Sequence, residues 1–240
     1  MGHHFQMFSP THWVMLAIFV AGIAPVVRLG RKDRGDADGA LRAGRVYAVV
    51  LVAVTLTAEL MQFLPGEFDF ETELPLNLCD FAWIPAAYAL WTQSRTPATV
   101  IYLWGLVLST QALITPALDT GFPYPQFFGF WATHFLIVWS AIYIVWGLGI
   151  RPSWRGYRIT VGITLVWLVG VFVFNEVVGT NYGYVNHKPS GHSVLDFFGP
   201  WPSYVAVEVV LVAAVWALMT WPWARDPEGR VSTRSTAGVR

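Results

Sequence analysis

The sequence predicts an all-α polytopic membrane protein with seven transmembrane helices, and three observations support this. Hydrophobic residues make up 55% of the 240-residue chain and charged residues 12%, whereas an ordinary soluble domain carries roughly 25% charged residues. Seven largely apolar runs approach the roughly 20 residues needed to cross a bilayer. The positive charges lie in alternate connections between these runs. A soluble globular domain is therefore excluded, as is disorder outside short loops.

The seven predicted spans follow one another along the chain without a detectable internal repeat. They are residues 11–28, 46–64, 76–91, 98–116, 127–148, 159–178 and 201–221. The third is the shortest, and it begins just after Pro75, a residue that fits the first position of a helix. The first ten residues contain no Lys or Arg, so they do not form the basic start of a cleavable signal. We predict a membrane domain over residues 1–223 and a polar cytoplasmic tail over residues 224–240.

The cations predict the orientation of the chain, because Lys and Arg in short loops stay on the cytoplasmic side. Fourteen of the fifteen Lys and Arg residues lie between spans 1 and 2, 3 and 4, or 5 and 6, or in the tail, and only Lys188 lies in the other connections. This alternation predicts an N-outside, C-inside chain. We expect an integral protein of a bacterial plasma membrane.

Polar side chains concentrate in the outer half of the predicted bundle. The candidate cavity residues are Glu59, Asn77, Asp80, Gln111, Asn175, Asn181, Tyr182, Tyr204 and Glu208. Glu59, His134 and Glu208 lie roughly 7–10 Å below the nearest span end at 1.5 Å per residue, a depth at which an ionisable group is by default functional. Asn77 and Asn175 could instead be interfacial residues. The pattern predicts one polar cavity that opens to the extracytoplasmic side.

Cys79 is the one cysteine of the chain, so no internal disulfide is possible. Its place near the start of span 3 favours a thiolate, because the helix dipole is positive there. Asp80 and the acidic segment before it, with Glu67, Asp69 and Glu73, oppose a thiolate by charge repulsion. The residues alone therefore leave two interpretations open, a reactive thiol and an inert buried cysteine.

The composition argues against several ligands. Equal numbers of acidic and basic residues offer no general attraction to nucleic acid. No glycine-rich phosphate loop is present, and we predict no cofactor. His187 and His192 lie near Asp196, and His3 or His4 could join them, but the spacing matches no strong ligand motif. We therefore predict no metal site.

Three motifs resemble the YwaF and transmembrane protein 164 family of integral membrane proteins. They are LPLNLC at residues 74–79, FWATHF at residues 130–135 and NYGYVNHKPSGHSVLDFFGPWPSY at residues 181–204. The resemblance implies phospholipid acyl transfer, with Cys79 as nucleophile and His134 as base. It also implies that Asn181, Tyr182, Pro200, Trp201 and Pro202 shape the outer cavity. One position departs from the family pattern, since Asn77 occupies the place of a histidine two residues before the cysteine.

Three functions from different classes follow. The first is a membrane-embedded lipid acyltransferase or transacylase that uses Cys79 and His134. The second is a non-enzymatic subunit that binds a lipid or small molecule within a transport or envelope complex. The third is an ion-coupled transporter that relays charge through Glu59, His134 and Glu208, although an inner half poor in ionisable groups and the lack of a repeat argue against it. Membrane lipid is the expected partner, and protein partners and homo-oligomers are left open.

Overall fold

The computed structural model describes residues 4–62, 74–116, 118, 120–189 and 194–224. The helices in these ranges are α1 (Pro10–Asp33), α2 (Ala37–Gln62), α3 (Trp83–Thr92), α4 (Arg95–Trp104), α5 (Thr110–Ile114), α6 (Pro125–Ile142), α7 (Trp154–Val178) and α8 (Ser203–Ala224). A 3-10 turn, Leu78–Phe81, precedes α3. The acidic segment before Leu74, the predicted tail from residue 225 onward, His3 and His192 lie outside the described residues.

Side chains and glycines set the ends of the helices. Ser9 accepts a hydrogen bond from the backbone N–H of His12 at the start of α1, at 3.4 Å. Ser153 does the same for the N–H of Gly156 at the start of α7, at 3.1 Å. These are N-caps, which satisfy donors that have no partner within the helix. Gly179 ends α7 in a left-handed conformation, with φ +83°, which glycine adopts without strain.

Six of the seven predicted spans are confirmed as helices long and apolar enough to cross a membrane. Within the described residues they are Pro10–Asp33, Ala37–Met61, Arg95–Ile114, Pro125–Leu148, Trp154–Val178 and Ser203–Trp223. The predicted third span, residues 76–91, is not among them. It consists of the 3-10 turn and α3, whose 10 residues cover about 15 Å, half of the hydrocarbon thickness.

Arginine side chains hold three connections together at one end of the bundle, which we name the arginine end. Arg34, between α1 and α2, donates to the carbonyl oxygens of Trp146 and Gly147. Arg95, the first residue of α4, donates to the carbonyl oxygens of Arg151 and Pro152 at 2.9 and 3.3 Å. The α1–α2, α3–α4 and α6–α7 connections therefore meet.

The most buried spans are α4–α5 and α6, each 61% buried, so they form the centre of the bundle. A π-helical segment, Gly105–Ser109, joins α4 to α5, and a second one, Tyr143–Leu148, follows α6. The second segment packs tightly against α1, because a Cβ added at Gly30 would lie 2.5 Å from the Gly147 Cα. Small residues allow membrane helices this close approach.

Candidate functional site

A cavity of about 220 Å³ lies between the 3-10 turn, α5, α7 and α8. We name it the cysteine cavity, because Cys79 lines it together with Gln111 and Glu208. Three of the polar residues predicted from the sequence are thus brought to one cavity. Most of the remaining lining is aliphatic or aromatic, including Leu168, Val209 and further residues of α7 and α8. The cavity therefore suits an apolar ligand with few polar groups.

The Cys79 thiol is hydrogen-bonded to its neighbour in the chain. Its Sγ–H donates to Asp80 Oδ1 at 3.5 Å, and the other carboxylate oxygen, Oδ2, accepts from the backbone N–H of Asn77 at 2.8 Å. The second bond fixes the carboxylate in the 3-10 turn, as in a capping box. Asp80 was predicted as a cavity residue and as a charge that opposes a thiolate, and its hydrogen bond to the thiol was not predicted. The Asn-x-x-Asp spacing was the signal that could have revealed it.

Cys79 and Asp80 precede α3 and lie outside the six candidate spans. Burial raises the pKa of the Cys79 thiol well above its ordinary value, and the charge of Asp80 and the hydrogen bond to it raise that pKa further. The backbone N–H groups of Cys79 and Asp80 act in the opposite direction and lower it. Burial also raises the pKa of the Asp80 carboxyl. The resting thiol is therefore protonated at neutral pH, so a reaction at its sulfur requires a base.

His134 is buried on α6 and is not among the residues that line the cysteine cavity. Its Nδ1 lies 2.8 Å from the carbonyl oxygen of Phe130, and its ring packs against the Phe130 ring with centroids 4.2 Å apart. A carbonyl oxygen can only accept, so Nδ1 carries the hydrogen. In the neutral ring, Nε2 is then the basic nitrogen.

Glu59, on α2, is half-buried and close enough to Asp80 for the two carboxyls to interact electrostatically. It is not a lining residue of the cysteine cavity. Of the three deep ionisable residues predicted from the sequence, Glu208 is therefore the one that reaches this cavity.

Asn175 organises the loop between α7 and α8, which we name the α7–α8 loop and of which the structure describes residues 179–189 and 194–202. Its Nδ2 donates to the Tyr182 carbonyl at 3.0 Å and to Asn186 Oδ1 at 2.8 Å. Its Oδ1 accepts from Thr180 Oγ1 at 2.8 Å and from the Tyr182 backbone N–H at 3.0 Å. Both N–H donors and the carbonyl acceptor of the buried amide are thus hydrogen-bonded. Asn175 was predicted to line a cavity, and the structure gives it this loop-holding role.

Other predicted residues attach the same loop to its surroundings. The Tyr182 hydroxyl accepts from the Leu74 N–H at 3.0 Å, five residues before Cys79. Tyr204, on α8, donates from its hydroxyl to the Tyr184 carbonyl at 2.6 Å. Asn181 donates to the His187 carbonyl at 2.7 Å. The α7–α8 loop is therefore tied to the segment that carries the cysteine and to α8.

The α7–α8 loop also forms part of the cavity wall. Gly183 and Val185 line the cysteine cavity. Gly183 has φ +65°, and a Cβ at this position would lie 2.7 Å from the Trp167 ring, so both the conformation and the space favour glycine. Trp201 donates from its indole N–H to the Val185 carbonyl at 3.1 Å. Gly183 and Val185 are therefore held in the cavity wall.

Two features of the cavity had no clear sequence signal. The π-helical segment Gly105–Ser109 contacts the 3-10 turn that carries Cys79, and its Leu108 lines the cavity. Such segments are frequent at functional sites. Trp216, on α8, also lines the cavity and is buried, and its indole N–H has no hydrogen-bond partner in the structure.

No group of three or more His, Cys, Asp and Glu residues that could hold a metal ion occurs within the described ranges. In the α7–α8 loop, Asp196 instead lies 3.6 Å from the Lys188 ammonium. Lys188 also lies over the Tyr204 ring, 5.7 Å from its centroid.

Six long apolar helices with a short helical segment between them, and a cavity that contains a thiol, define an all-α integral membrane protein. The model of the TMEM164 family matches residues 7–220, a range that includes the cysteine, the α7–α8 loop and nearly all of the six candidate spans. The chain belongs to the TMEM164 family, which confirms the resemblance drawn from the three motifs. No match was found among curated proteins, and none among solved structures.

Proposed function

We propose that this protein transfers acyl groups between membrane lipids through a thioester on Cys79. One observation carries the proposal: the thiol lines an apolar cavity in a membrane-embedded bundle and is hydrogen-bonded to a carboxylate fixed by the backbone. An apolar cavity accommodates an acyl chain, and a carboxylate beside a thiol can accept its proton. A cavity of about 220 Å³ is smaller than the pockets of roughly 300–1,000 Å³ that enclose whole drug-sized ligands, which suits part of a lipid.

The proposed reaction has two balanced steps. In the first, Asp80 takes the thiol proton while the sulfur attacks the ester carbonyl of a donor lipid. The C–O bond breaks, the departing oxygen takes the proton from Asp80, and a lysolipid and an acyl thioester on Cys79 result. In the second, the hydroxyl of an acceptor lipid gives its proton to Asp80 and attacks the thioester carbonyl. The C–S bond breaks, and the sulfur recovers its proton.

Asp80 replaces His134 as the base in this proposal because its carboxylate is the group within hydrogen-bonding distance of the thiol. A raised carboxyl pKa makes Asp80 a stronger base than an ordinary aspartate. His134 as base stays a prediction from the family resemblance, and it requires a movement that brings Nε2 to the sulfur.

Purified protein in liposomes tests the proposal. The donor is a phospholipid labelled in one acyl chain, the acceptor is a lysophospholipid, and intact-mass measurement detects an acyl adduct on Cys79. We expect wild type to carry the adduct and transfer the label, and Cys79→Ala to do neither while retaining its melting temperature. Transfer by Cys79→Ala at the wild-type rate would disprove the proposal.

The Asp80→Asn variant distinguishes the two candidate bases. An asparagine oxygen can still accept from the Asn77 N–H, but it has no charge and cannot take a proton. We expect transfer to fall roughly 10²–10⁴-fold, the usual contribution of a general base. At the same time the pKa of the Cys79 thiol should fall, because the neighbouring negative charge is gone, so a maleimide should react faster at a fixed pH. If His134→Ala shows the larger loss of transfer, His134 is the base.

A second function, lipid binding without catalysis, is favoured by the raised pKa of the Cys79 thiol, because an inert thiol in an apolar wall needs no activation. It predicts that wild type and Cys79→Ala bind labelled phospholipid equally and that no adduct forms.

A further inference from the structure

A second apolar depression lies on the other side of the cavity wall. This lipid-facing groove, of about 540 Å³, lies between α3, α4 and α7 and is lined mainly by aliphatic and aromatic side chains. Leu78 and Trp167 line both the groove and the cysteine cavity. Leu78 is also the residue immediately before Cys79. Two side chains therefore belong to both spaces, and the groove begins directly beside the proposed nucleophile.

The groove presents carbon rather than polar atoms. The Trp104 indole N–H donates to Thr164 Oγ1 at 3.0 Å, and the Trp167 indole N–H donates to the Leu76 carbonyl at 2.9 Å. Both indole donors of the groove are thus satisfied within the protein, and a ligand meets the faces of these rings. Ile84 and Val166, two other lining residues, are 49% and 75% exposed.

The groove lies at membrane depth. On α4 it extends from Thr96 to Trp104, a rise of about 12 Å, and this part of α4 belongs to one of the six candidate spans. At such a depth the surrounding solvent is hydrocarbon, so an acyl chain is the ligand that the groove meets. The remaining question is which chain occupies it.

We infer that the groove holds the second acyl chain of the donor lipid while the first lies in the cysteine cavity, with Leu78 and Trp167 between the two. This inference rests on the proposed function, since it assigns a donor lipid to the cavity. It follows from the shared wall, because two chains joined through one glycerol lie side by side and can occupy two adjacent spaces. The donor is therefore a two-chain glycerolipid. A single-chain lysolipid has no second chain to place in the groove.

Photo-crosslinking in the Cys79→Ala protein tests the site without any turnover. The probe is a diacyl phosphatidylcholine with a diazirine in one chain, at low proportion in nanodiscs of unlabelled lipid, and labelled peptides are identified by mass spectrometry. Val166→Trp fills the groove, and Val169→Trp is the matched control, because Val169 is also exposed on α7 but does not line the groove.

We expect the probe to label α3 and α7 peptides of the groove. Val166→Trp should weaken this labelling by about tenfold, the size of effect that lost methylene contacts produce, and Val169→Trp should not. A single-chain diazirine lysolipid should label the cysteine cavity equally in all three proteins. Ile84→Trp, at the α3 side of the groove, should reproduce the effect of Val166→Trp.

Equal labelling in Val166→Trp and Val169→Trp, or an equal loss for one-chain and two-chain probes, would overturn the inference. The proposed function fails separately, through the absence of an adduct on Cys79 in wild type. Groove labelling without acyl transfer would support the lipid site in the groove and disprove the proposed catalysis. Acyl transfer without groove labelling would support the catalysis and disprove the lipid site in the groove.

Discussion

The two ends of the bundle are stabilised by different chemistry. At the arginine end, the charged side chains of Arg34 and Arg95 donate to backbone carbonyls of a neighbouring connection. At the other end, the neutral amide of Asn175 and the hydroxyls of Tyr182 and Tyr204 connect the α7–α8 loop. Two of the four arginine bonds are exposed and two are partly buried, whereas the second set surrounds a buried amide.

This difference between the two ends is explained by the position of the cysteine cavity. The α7–α8 loop supplies cavity wall close to the thiol. Neutral groups link it to Leu74, Asn175 and α8, and its charged contacts join Asn186 to Glu176 and Lys188 to Asp196. The arginine end does not border the cysteine cavity, so charged side chains can serve there, and their charge predicts a cytoplasmic location for that end. Four measurements would test the comparison.

The largest expected effect is a difference in labelling from outside the cell, which should be complete at one end of the bundle and absent at the other. In a Cys79→Ser background, Asp38→Cys at the arginine end and Gln126→Cys at the other end place single thiols at exposed positions. We expect a membrane-impermeant maleimide added to intact cells to label Gln126→Cys and not Asp38→Cys, because the cation-rich side stays cytoplasmic. Labelling of Asp38→Cys from outside would reverse the orientation.

Removal of the buried amide should have the next largest effect. Asn175→Ala leaves buried donors and acceptors of Thr180 and Tyr182 unpaired, which costs about 2–3 kcal/mol. Thermal unfolding in detergent should show a clearly lower melting temperature. Asn181→Ala is the control, because Asn181 is less buried, and we expect a smaller shift. Equal shifts in the two variants would mean that Asn175 does not organise the loop.

A smaller effect is expected at the arginine end. Arg34→Ala loses hydrogen bonds to the carbonyls of Trp146 and Gly147, but water can replace them at this exposed position, so the expected loss is about 1 kcal/mol. The same melting measurement checks it, with Arg31→Ala, in the last turn of α1, as the control. A loss as large as that of Asn175→Ala would remove the contrast between the two ends.

The smallest effect is expected for the ion pair of the α7–α8 loop. Lys188 and Asp196 are 3.6 Å apart and partly exposed, so Lys188→Ala should cost about 0.5 kcal/mol or less. The difference from wild type should shrink further at high salt, because exposed charges are screened. A large effect that does not depend on salt would show that charge also stabilises this end.

The apolar runs predicted the long helices well, because hydrophobic length is a property of the sequence itself. The third run did not predict the 3-10 turn Leu78–Phe81, since apolar character alone gives no indication of that conformation. The presence of Cys79, Gln111 and Glu208 in one cavity agrees with the predicted polar layer. That these three residues line the same cavity could not be predicted, because it depends on how helices distant in sequence pack.

Sequence reasoning was weakest where a role depends on orientation. Nothing in the sequence distinguishes Asn175, which holds a loop, from Gln111, which lines the cavity, because both are amides near a span end. Trp167 had no assigned role, and its place between two apolar spaces follows from its hydrogen bond to the Leu76 carbonyl. The contacts of Arg34 and Arg95 were also missed, since charge alone predicted a side of the membrane and no partner.

The π-helical segment Gly105–Ser109 has a consequence for the numbering of the helix that follows it. Such a segment corresponds to one inserted residue in an α-helix, and one residue turns the helix by about 100°. Gln111 lies two residues beyond the segment and lines the cysteine cavity. A relative that lacks one residue in this stretch would present a neighbouring side chain at the same place. Equivalent positions in α5 should therefore be matched by helical phase after the insertion, not by counting residues from Arg95.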